Sequence, residues 1–298
     1  MNGFELLFMY DVEDVGVRPA PTLLATGVRE AFGVAAAQFL GSGAFGETWR
    51  IPGEAPGRPD RAVKIIVNPQ YPAALIDREV AGLRRIEHPN VVRLLDRVDA
   101  HFGPVVRQAL VFEFVAGGDL SDRLATSTAS PEDVHRFAVA LLRAAEAMHA
   151  KDTVHRDIKP QNIALRGGDI GNPVLLDLGL AKLLEGESLT LYPQPVGTCA
   201  FMAPEQVRGD RAGKQADVWA IGVVLYVLLT GRHPFFGPRH QAMTSAQALA
   251  AFAAGPRPIG VTSPVATAVT TMLGVEPYAR GSIRRHLKHL DTLNGDAR

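Results

Sequence analysis

The chain contains very little cysteine, no excess of either charge and no hydrophobic run long enough to cross a membrane. Its one cysteine, Cys199, excludes an internal disulfide framework and a cysteine-rich zinc site, as is typical of proteins from a reducing compartment. Lysine plus arginine equal aspartate plus glutamate at 31 each, so no net field attracts nucleic acid or an anionic membrane. We therefore expect neither nucleic acid nor a membrane as a partner.

Export and anchoring signals are also missing from the apolar segments. The longest apolar run, residues 218–229, follows Asp217 and is too short to span a bilayer, so it predicts a buried helix. Residues 1–10 are apolar but lack the basic start of a secretory signal. We expect a cytoplasmic protein, and the abundance of alanine and arginine over lysine is typical of a GC-rich bacterial genome.

The pattern of predicted elements changes near residue 116 of the 298 residues. Before this point, β-rich runs at residues 38–40, 48–51, 61–67, 91–98 and 110–114 surround one helical pattern at residues 73–86. After it, long helical patterns dominate, beginning at residues 131–151 with Ser130 in the N-cap position. These patterns predict a sheet-rich lobe at residues 35–115, a helical lobe at residues 116–298 and a hinge at Gly117-Gly118.

The first 34 residues form an extension whose role the sequence leaves open. Residues 4–10 are compatible with an added strand and residues 20–32 with a short helix. Such elements either pack on the small lobe or obstruct the cleft between the lobes.

A glycine-rich segment lies between the first two predicted strands. It comprises Gly41, Ser42, Gly43, Ala44, Phe45 and Gly46. Glycines let the backbone approach phosphate groups closely and direct its amides at them. A dinucleotide-binding motif would need a helix directly afterwards, which residues 47–51 do not resemble. The segment is therefore either a phosphate-binding hairpin or an ordinary glycine-rich turn.

Lys64 lies inside an otherwise apolar predicted strand. A buried lysine needs an anionic partner, and Glu79 on the following helix is the natural choice. Paired in this way, Lys64 would face nucleotide phosphates. Considered singly, each residue is better explained by the alternative, a surface lysine on an edge strand and a glutamate on a solvated helix face.

Three further motifs follow in a fixed order: HRDIKPQN at residues 155–162, DLG at 177–179 and APE at 203–205. They provide a candidate base, Asp157, and two candidate metal ligands, Asn162 and Asp177. Glu205 is a candidate structural anchor. These are the groups needed to move a phosphoryl group from a nucleotide to a hydroxyl.

Together with the glycine-rich segment, Lys64, Glu79 and Asp217, these motifs resemble the eukaryotic-type (Hanks-type) serine/threonine protein kinases over residues 37–290. The resemblance implies an α+β, bilobal fold, with a small antiparallel β-sheet lobe carrying one main helix and a larger, mostly helical lobe. It also implies transfer of the γ-phosphate of ATP to serine or threonine hydroxyls of proteins. Mg²⁺ or Mn²⁺ would be the metal cofactor, and self-association would allow autophosphorylation.

The resemblance assigns roles residue by residue. It implies that Asp157 accepts the hydroxyl proton, Lys159 neutralises the moving phosphate, Thr198 bonds both, and Asn162 and Asp177 hold the metal. Beyond the glycine-rich segment, the implied nucleotide contacts are Thr48, Ala62, Lys64, Glu79, Phe112, Glu113, Val115, Asp119 and Ala164.

The nucleotide contacts divide by the part of ATP that they meet. Backbone groups of Glu113 and Val115 meet adenine, Phe112 closes the pocket behind it, and Asp119 binds the ribose. Thr48 and Ala164 stand where the family commonly has valine and leucine, so we expect a wider and more polar adenine slot.

Other matched positions are structural or regulatory. Glu205 is expected to pair with Arg280, and Asp217 to bind the backbone of the catalytic loop. Arg156, with Lys182, resembles the cations that bind a phosphate on the activation segment, although a backbone-bonding role for Arg156 is the alternative. The candidate phosphorylation sites on that segment are Ser188, Thr190, Tyr192 and Thr198.

Two alternative functions use the same motifs. A pseudokinase binds nucleotide and signals by shape, but such proteins typically lose the lysine, the base or a metal ligand, all of which are present here. A small-molecule phosphotransferase on a related fold would lack the activation segment that ends in APE.

Overall fold

The N-terminal lobe is a five-stranded antiparallel sheet. In the computed structural model, the described residues are 20–43, 46–53, 55, 57–69, 71–126, 129–177, 200–237 and 243–292, without the side chains of residues 75, 78, 79 and 292. The strands are β1 (Gln38–Ser42), β2 (Gly46–Ile51), β3 (Arg61–Ile66), β4 (Leu94–Phe102) and β5 (Val105–Glu113). Their order in the sheet is β1-β2-β3-β5-β4.

The alternation of side chains gives the sheet two different faces. On one face, Ile66 and Leu110 pack against Ile76 and Val80 of helix α2 (Ala73–Leu83). Lys64 lies on the same strand face as Ile66, and its strand β3 lies between β2 and β5. The alternative of Lys64 on an edge strand is therefore wrong.

The other face is covered by helix α1 (Ala25–Phe32), part of the extension. Val28 of this helix is fully buried in one core with Trp49, Val63 and Ile65. The helix ends at Gly33, whose positive φ of 62° suits a glycine C-cap. The short helix predicted at residues 20–32 is thus present and packs on the small lobe, whereas the strand predicted at residues 4–10 lies outside the described residues.

The C-terminal lobe is mostly helical. Its elements are α3 (Leu120–Thr126), α4 (Pro131–His149), the hairpin strands β6 (Ile163–Leu165) and β7 (Pro173–Leu175), α5 (Pro204–Arg208), α6 (Lys214–Thr230), α7 (Ser245–Ala253), α8 (Pro264–Met272) and α9 (Ile283–Thr292). The Ser130 side chain accepts a bond from Asp133 N, which confirms the predicted N-cap of α4. Helix α6 is buried from Ala216 to Leu228, as its all-round apolar sequence predicts.

The predicted hinge is bonded to the C-terminal lobe. Leu165 N donates to Gly118 O over 2.9 Å, and Gly167 N donates to Ala116 O over 2.7 Å. Gly117 has φ 132°, and a Cβ there would lie 2.0 Å from Leu165 O, so only glycine fits this crossing. The chain therefore enters the second lobe through a short, hydrogen-bonded segment.

The strand predicted at residues 91–98 begins three residues later in the structure, at Leu94. Val91 and Val92 precede β4 and instead join the lobes, because Val91 bridges Leu175 and Val92 N donates to Leu175 O over 2.9 Å. A run of apolar residues does not distinguish a strand from a buried lobe contact. Among the described residues, no helix is both long and apolar enough to cross a bilayer.

Candidate active site

Asp217 anchors the loop that follows α4. Its carboxylate is fully buried and accepts hydrogen bonds from His155 N at 2.9 Å and Arg156 N at 2.7 Å. His149 Nε2 lies 2.8 Å from the same carboxylate. Desolvation opposes ionisation, but the bond and charge of His149 and the donors of the loop hold the pKa of Asp217 below its usual value. The predicted contact between Asp217 and the loop backbone is confirmed.

This anchor places three of the predicted catalytic residues together. Asn162 Nδ2 donates to Asp157 O at 2.8 Å and to Asp157 Oδ2 at 3.0 Å. Lys159 Nζ lies 3.2 Å from Asp157 Oδ2, and both side chains are 26% exposed. The Asp157 carboxylate is therefore oriented by an amide and a cation while it remains accessible from outside.

Asp177 follows β7 and forms an ion pair with Lys64 of β3. Desolvation raises the pKa of Asp177, but the charge and hydrogen bond of Lys64 outweigh it and hold the pKa below its usual value. Lys64 is only 12% exposed, so its ammonium needs this anionic partner. The predicted partner, Glu79, lies on helix α2, as the sequence predicts. Its side chain lies outside the described residues, so the pairing with Lys64 stays a prediction.

The described residues of the glycine-rich segment lie at the end of β1 and the start of β2, which pair as an antiparallel hairpin. Gly43 N donates to Gly46 O over 2.9 Å, and Ser42 pairs with Glu47 across the strands. A Cβ on Gly46 would lie 2.2 Å from Ile65 O, so the backbone of β3 excludes any side chain there. Ala44 and Phe45, the other two residues of the predicted phosphate-binding segment, lie outside the described residues.

Several predicted adenine contacts lie together between the lobes. Val115 and Ala164 share a small buried cluster with Val92 and Val174, and Phe112 packs against it. Val115 follows β5 and Ala164 lies in β6, so the cluster contains residues from both lobes.

The remaining predicted nucleotide residues are in the sheet or just after it. Ala62 pairs with Phe112 across β3 and β5, and Thr48 pairs with Lys64 across β2 and β3. Asp119 Oδ1 accepts bonds from Asp122 N and the Ser121 hydroxyl at the start of α3.

The predicted structural anchor is confirmed. Arg280 Nη1 and Nη2 each lie 2.7 Å from one carboxylate oxygen of Glu205, and both side chains are buried. Arg156, by contrast, bonds Ala212 O through Nε at 3.0 Å, which is the backbone-bonding role considered as the alternative. Leu178, Gly179, Lys182, Ser188, Thr190, Tyr192, Thr198 and Cys199 lie outside the described residues.

Sequence reasoning missed the side-chain role of Glu113. It considered only the backbone of this residue, yet the carboxylate accepts bonds from Arg166 Nη1 at 3.1 Å and Arg93 N at 3.1 Å. It also missed His149, whose signal was only its place at the end of α4. Glu47 was missed as well: a glutamate on the inward face of a strand was the available signal.

The sheet lobe and the helical lobe together form a two-lobed fold. A family model described as "Protein kinase domain" matches residues 34–290, and the chain belongs to this family. Its structure is similar to a crystal structure of Rad53 residues 1–466 in complex with AMP-PNP, with 26% sequence identity and a TM-score of 0.66. That match covers 85% of this chain but 63% of the Rad53 chain.

Proposed function

We propose that the protein is a serine/threonine protein kinase that transfers the γ-phosphoryl group of ATP to protein hydroxyls. The observation that carries this proposal is the Asp157 carboxylate, which Asn162 and Lys159 orient at an accessible position. The similarity to a kinase crystallised with the ATP analogue AMP-PNP supports ATP as the phosphoryl donor.

In this mechanism, Asp157 positions the acceptor hydroxyl and takes its proton as the oxygen bonds to phosphorus. Lys159, beside the base, offsets negative charge on the transferring group. The anchoring of the loop by Asp217 holds both groups in place before substrate binds, which lowers the ordering cost of the reaction.

The metal expected for this reaction is Mg²⁺, with Mn²⁺ as a substitute. Asn162 donates to Asp157 through its amide nitrogen, so its side-chain carbonyl oxygen is not used in that contact. Asp177 supplies a carboxylate whose pKa Lys64 holds below its usual value, which favours the ionised form. Both are hard oxygen donors of the kind Mg²⁺ prefers, and the phosphates complete such a site. When bound, the ion neutralises charge on the phosphates. In the described ranges, no group of three or more His, Cys, Asp or Glu could hold a metal ion.

Serine/threonine specificity, autophosphorylation and cytoplasmic location are further parts of the proposal. Lys159, two residues after the base, and Gly197-Thr198 before the APE motif favour the serine/threonine branch. Ser188 or Thr190 is the proposed autophosphorylation site of the activation segment, and protein substrates are the expected partners.

The test is transfer of labelled γ-phosphate from ATP with Mg²⁺ to the protein itself and to a generic protein substrate. Asp157→Asn should lower transfer by about 10²- to 10⁴-fold, because it removes the proton acceptor. Asp152→Asn is the matched control, since Asp152 is 95% exposed and should leave transfer unchanged. Nucleotide binding without any transfer by the wild type would favour the pseudokinase alternative instead.

A further inference from the structure

Residues 20–32, which precede the kinase-family match, are attached to the strand that leaves the glycine-rich hairpin. The attachment point is Glu47, the residue directly after Gly46. Glu47 is only 1% exposed, although it carries a carboxylate. Burial of a carboxylate is unfavourable unless hydrogen-bond donors surround it. The donors around Glu47 therefore show which segments this side chain holds together.

Most of these donors come from the extension. Thr22 donates to Glu47 Oε1 through both its backbone N, at 2.5 Å, and its hydroxyl, at 2.6 Å. Leu23 N lies 3.4 Å from each carboxylate oxygen, and Trp49 Nε1 donates to Oε2 at 3.2 Å. These contacts make Glu47 the side chain that holds the start of the extension on the sheet.

Apolar packing continues the attachment beyond Thr22. Val28 is completely buried with Trp49 and Ile65, and Leu23 and Phe32 pack against the same cluster. We call residues 20–32 the strap. The strap and the sheet face covered by α1 therefore share one hydrophobic core.

The attachment point is also part of the hairpin. Glu47 pairs with Ser42 on one side and Ile65 on the other. Gly43 N donates to Gly46 O, so residues 43 and 46 close the turn immediately beside Glu47. A displacement of Glu47 must therefore move the segment that is proposed to contact the phosphates.

We propose that the strap stabilises the nucleotide-binding hairpin through Glu47, and that autophosphorylation of Thr22 releases it. This inference rests on the proposed kinase function for its modification step. Thr22 is an exposed residue, and a second kinase molecule can reach its hydroxyl when the bond to Glu47 opens transiently. In the step, Oγ1 bonds to the γ-phosphorus, the β–γ bond breaks, ADP leaves and the hydroxyl proton passes to the base of the second molecule.

The product of this step opposes the contact in two ways. The hydroxyl loses the proton that it donates to Glu47, and a group of nearly two negative charges is placed against a buried carboxylate. Like charges repel at this distance, and the Glu47 carboxylate, which is only 1% exposed, is poorly screened by water. The modified strap should leave the carboxylate, and the hairpin should lose its support.

The experiment compares Thr22→Glu, which adds the charge, with Thr22→Gln, which removes the hydroxyl without adding charge. Thr26→Glu is the positional control, because Thr26 is exposed on the same strap. Amide hydrogen exchange of residues 20–34 and 41–50 is measured by mass spectrometry, and binding of a fluorescent ADP with Mg²⁺ gives the nucleotide affinity. Neither readout requires catalysis, so failure of the proposed function would not be confused with failure of the strap.

We expect Thr22→Glu to increase exchange in both segments by at least tenfold and to weaken nucleotide binding by three- to tenfold. Thr26→Glu should change each by less than twofold, and Thr22→Gln should fall between them. Equal effects of Glu and Gln at position 22 would overturn the charge mechanism. Faster exchange with unchanged nucleotide affinity would overturn the coupling to the hairpin.

Two further arms complete the test. In a Glu47→Gln background, adding Thr22→Glu should have less than a third of its effect in the wild type, because the repulsion is gone. After incubation with ATP and Mg²⁺, mass spectrometry should find phosphate on Thr22 in the wild type and none in Asp157→Asn. Phosphotransfer to other sites with Thr22 unmodified would overturn the modification step.

Discussion

At the scale of single residues, buried acceptors decide the shape of the candidate site. The Asp217 carboxylate accepts hydrogen bonds from two backbone amides of the loop after α4. These amides lie 61 and 62 residues away from Asp217 along the chain. Arg156 has a positive φ of 63° in this loop, a conformation that costs free energy in a residue with a side chain. The carboxylate therefore stabilises a loop conformation that the local sequence does not favour.

Asp217→Asn tests this role. An amide has one acceptor oxygen and no charge, so we expect the variant to lose about 3 kcal/mol of unfolding free energy. Urea denaturation followed by fluorescence measures the change. Asp152→Asn, at an exposed turn residue with φ 53°, should stay within about 0.5 kcal/mol of the wild type. A loss as small in Asp217→Asn as in this control would contradict the anchoring role.

At the scale of elements, one arginine joins several segments of the C-terminal lobe. Arg280 Nε donates to Gly274 O, and its two terminal nitrogens donate to Glu205, Gln215 O and Val275 O. These five bonds use all five N–H groups of the guanidinium. The Arg280 side chain is fully buried and stacks over Trp219 at 5.0 Å, so α5, α6 and the turn before α9 meet at one cation.

Arg280→Lys keeps the charge but has only three donors and no planar fork. It should leave at least two buried acceptors without a donor and lower the unfolding free energy by about 3 kcal/mol. Chemical denaturation measures the loss. Arg284→Lys is the matched control, because Arg284 is 88% exposed and its contact with Glu146 contributes little. Equal stability of the two variants would show that charge alone, rather than the fork, holds these elements together.

At the scale of the whole molecule, the dependence of stability on pH sums the proton uptake of every group. His286 of α9 is buried, and its Nε2–H donates to Arg280 O at 2.7 Å. Desolvation outweighs this bond and holds the pKa of His286 below its ordinary value of 6.5. The unfolded chain therefore binds a proton at His286 more readily than the folded protein does.

The sign of the pH effect follows directly. Stability from neutral His286 is fully present above the unfolded pKa and is lost as pH falls below it, until the lower folded pKa is reached. We expect His286→Gln to flatten the decline in unfolding free energy between about pH 7 and 5. Denaturation curves across this pH range provide the measurement. His101→Gln is the control, because His101 is an exposed residue of β4. A decline as steep in His286→Gln as in the wild type would refute the assignment.

Much of the fold follows from local patterns. The cap at Ser130, the apolar all-round run of α6 and the spacing in α2 each predict an observed helix, because helix caps and periodicity are local properties. The strand ends were less accurate: β5 begins at Val105 rather than at residue 110. Residues 105–109 pair with β4, and this pairing extends the strand towards the N-terminus of the predicted run.

By itself, the sequence determined the order and chemistry of the motifs, since a base, metal ligands and glycines are recognisable as residue types. Only the tertiary structure decided which donor each acceptor meets: Lys64 with Asp177, Glu113 with Arg166, and Glu47 with Thr22. Such partners are selected by distance in space and by the cost of burying an unpaired charge. Neither quantity can be obtained from separation along the chain, and Lys64 and Asp177 are 113 residues apart.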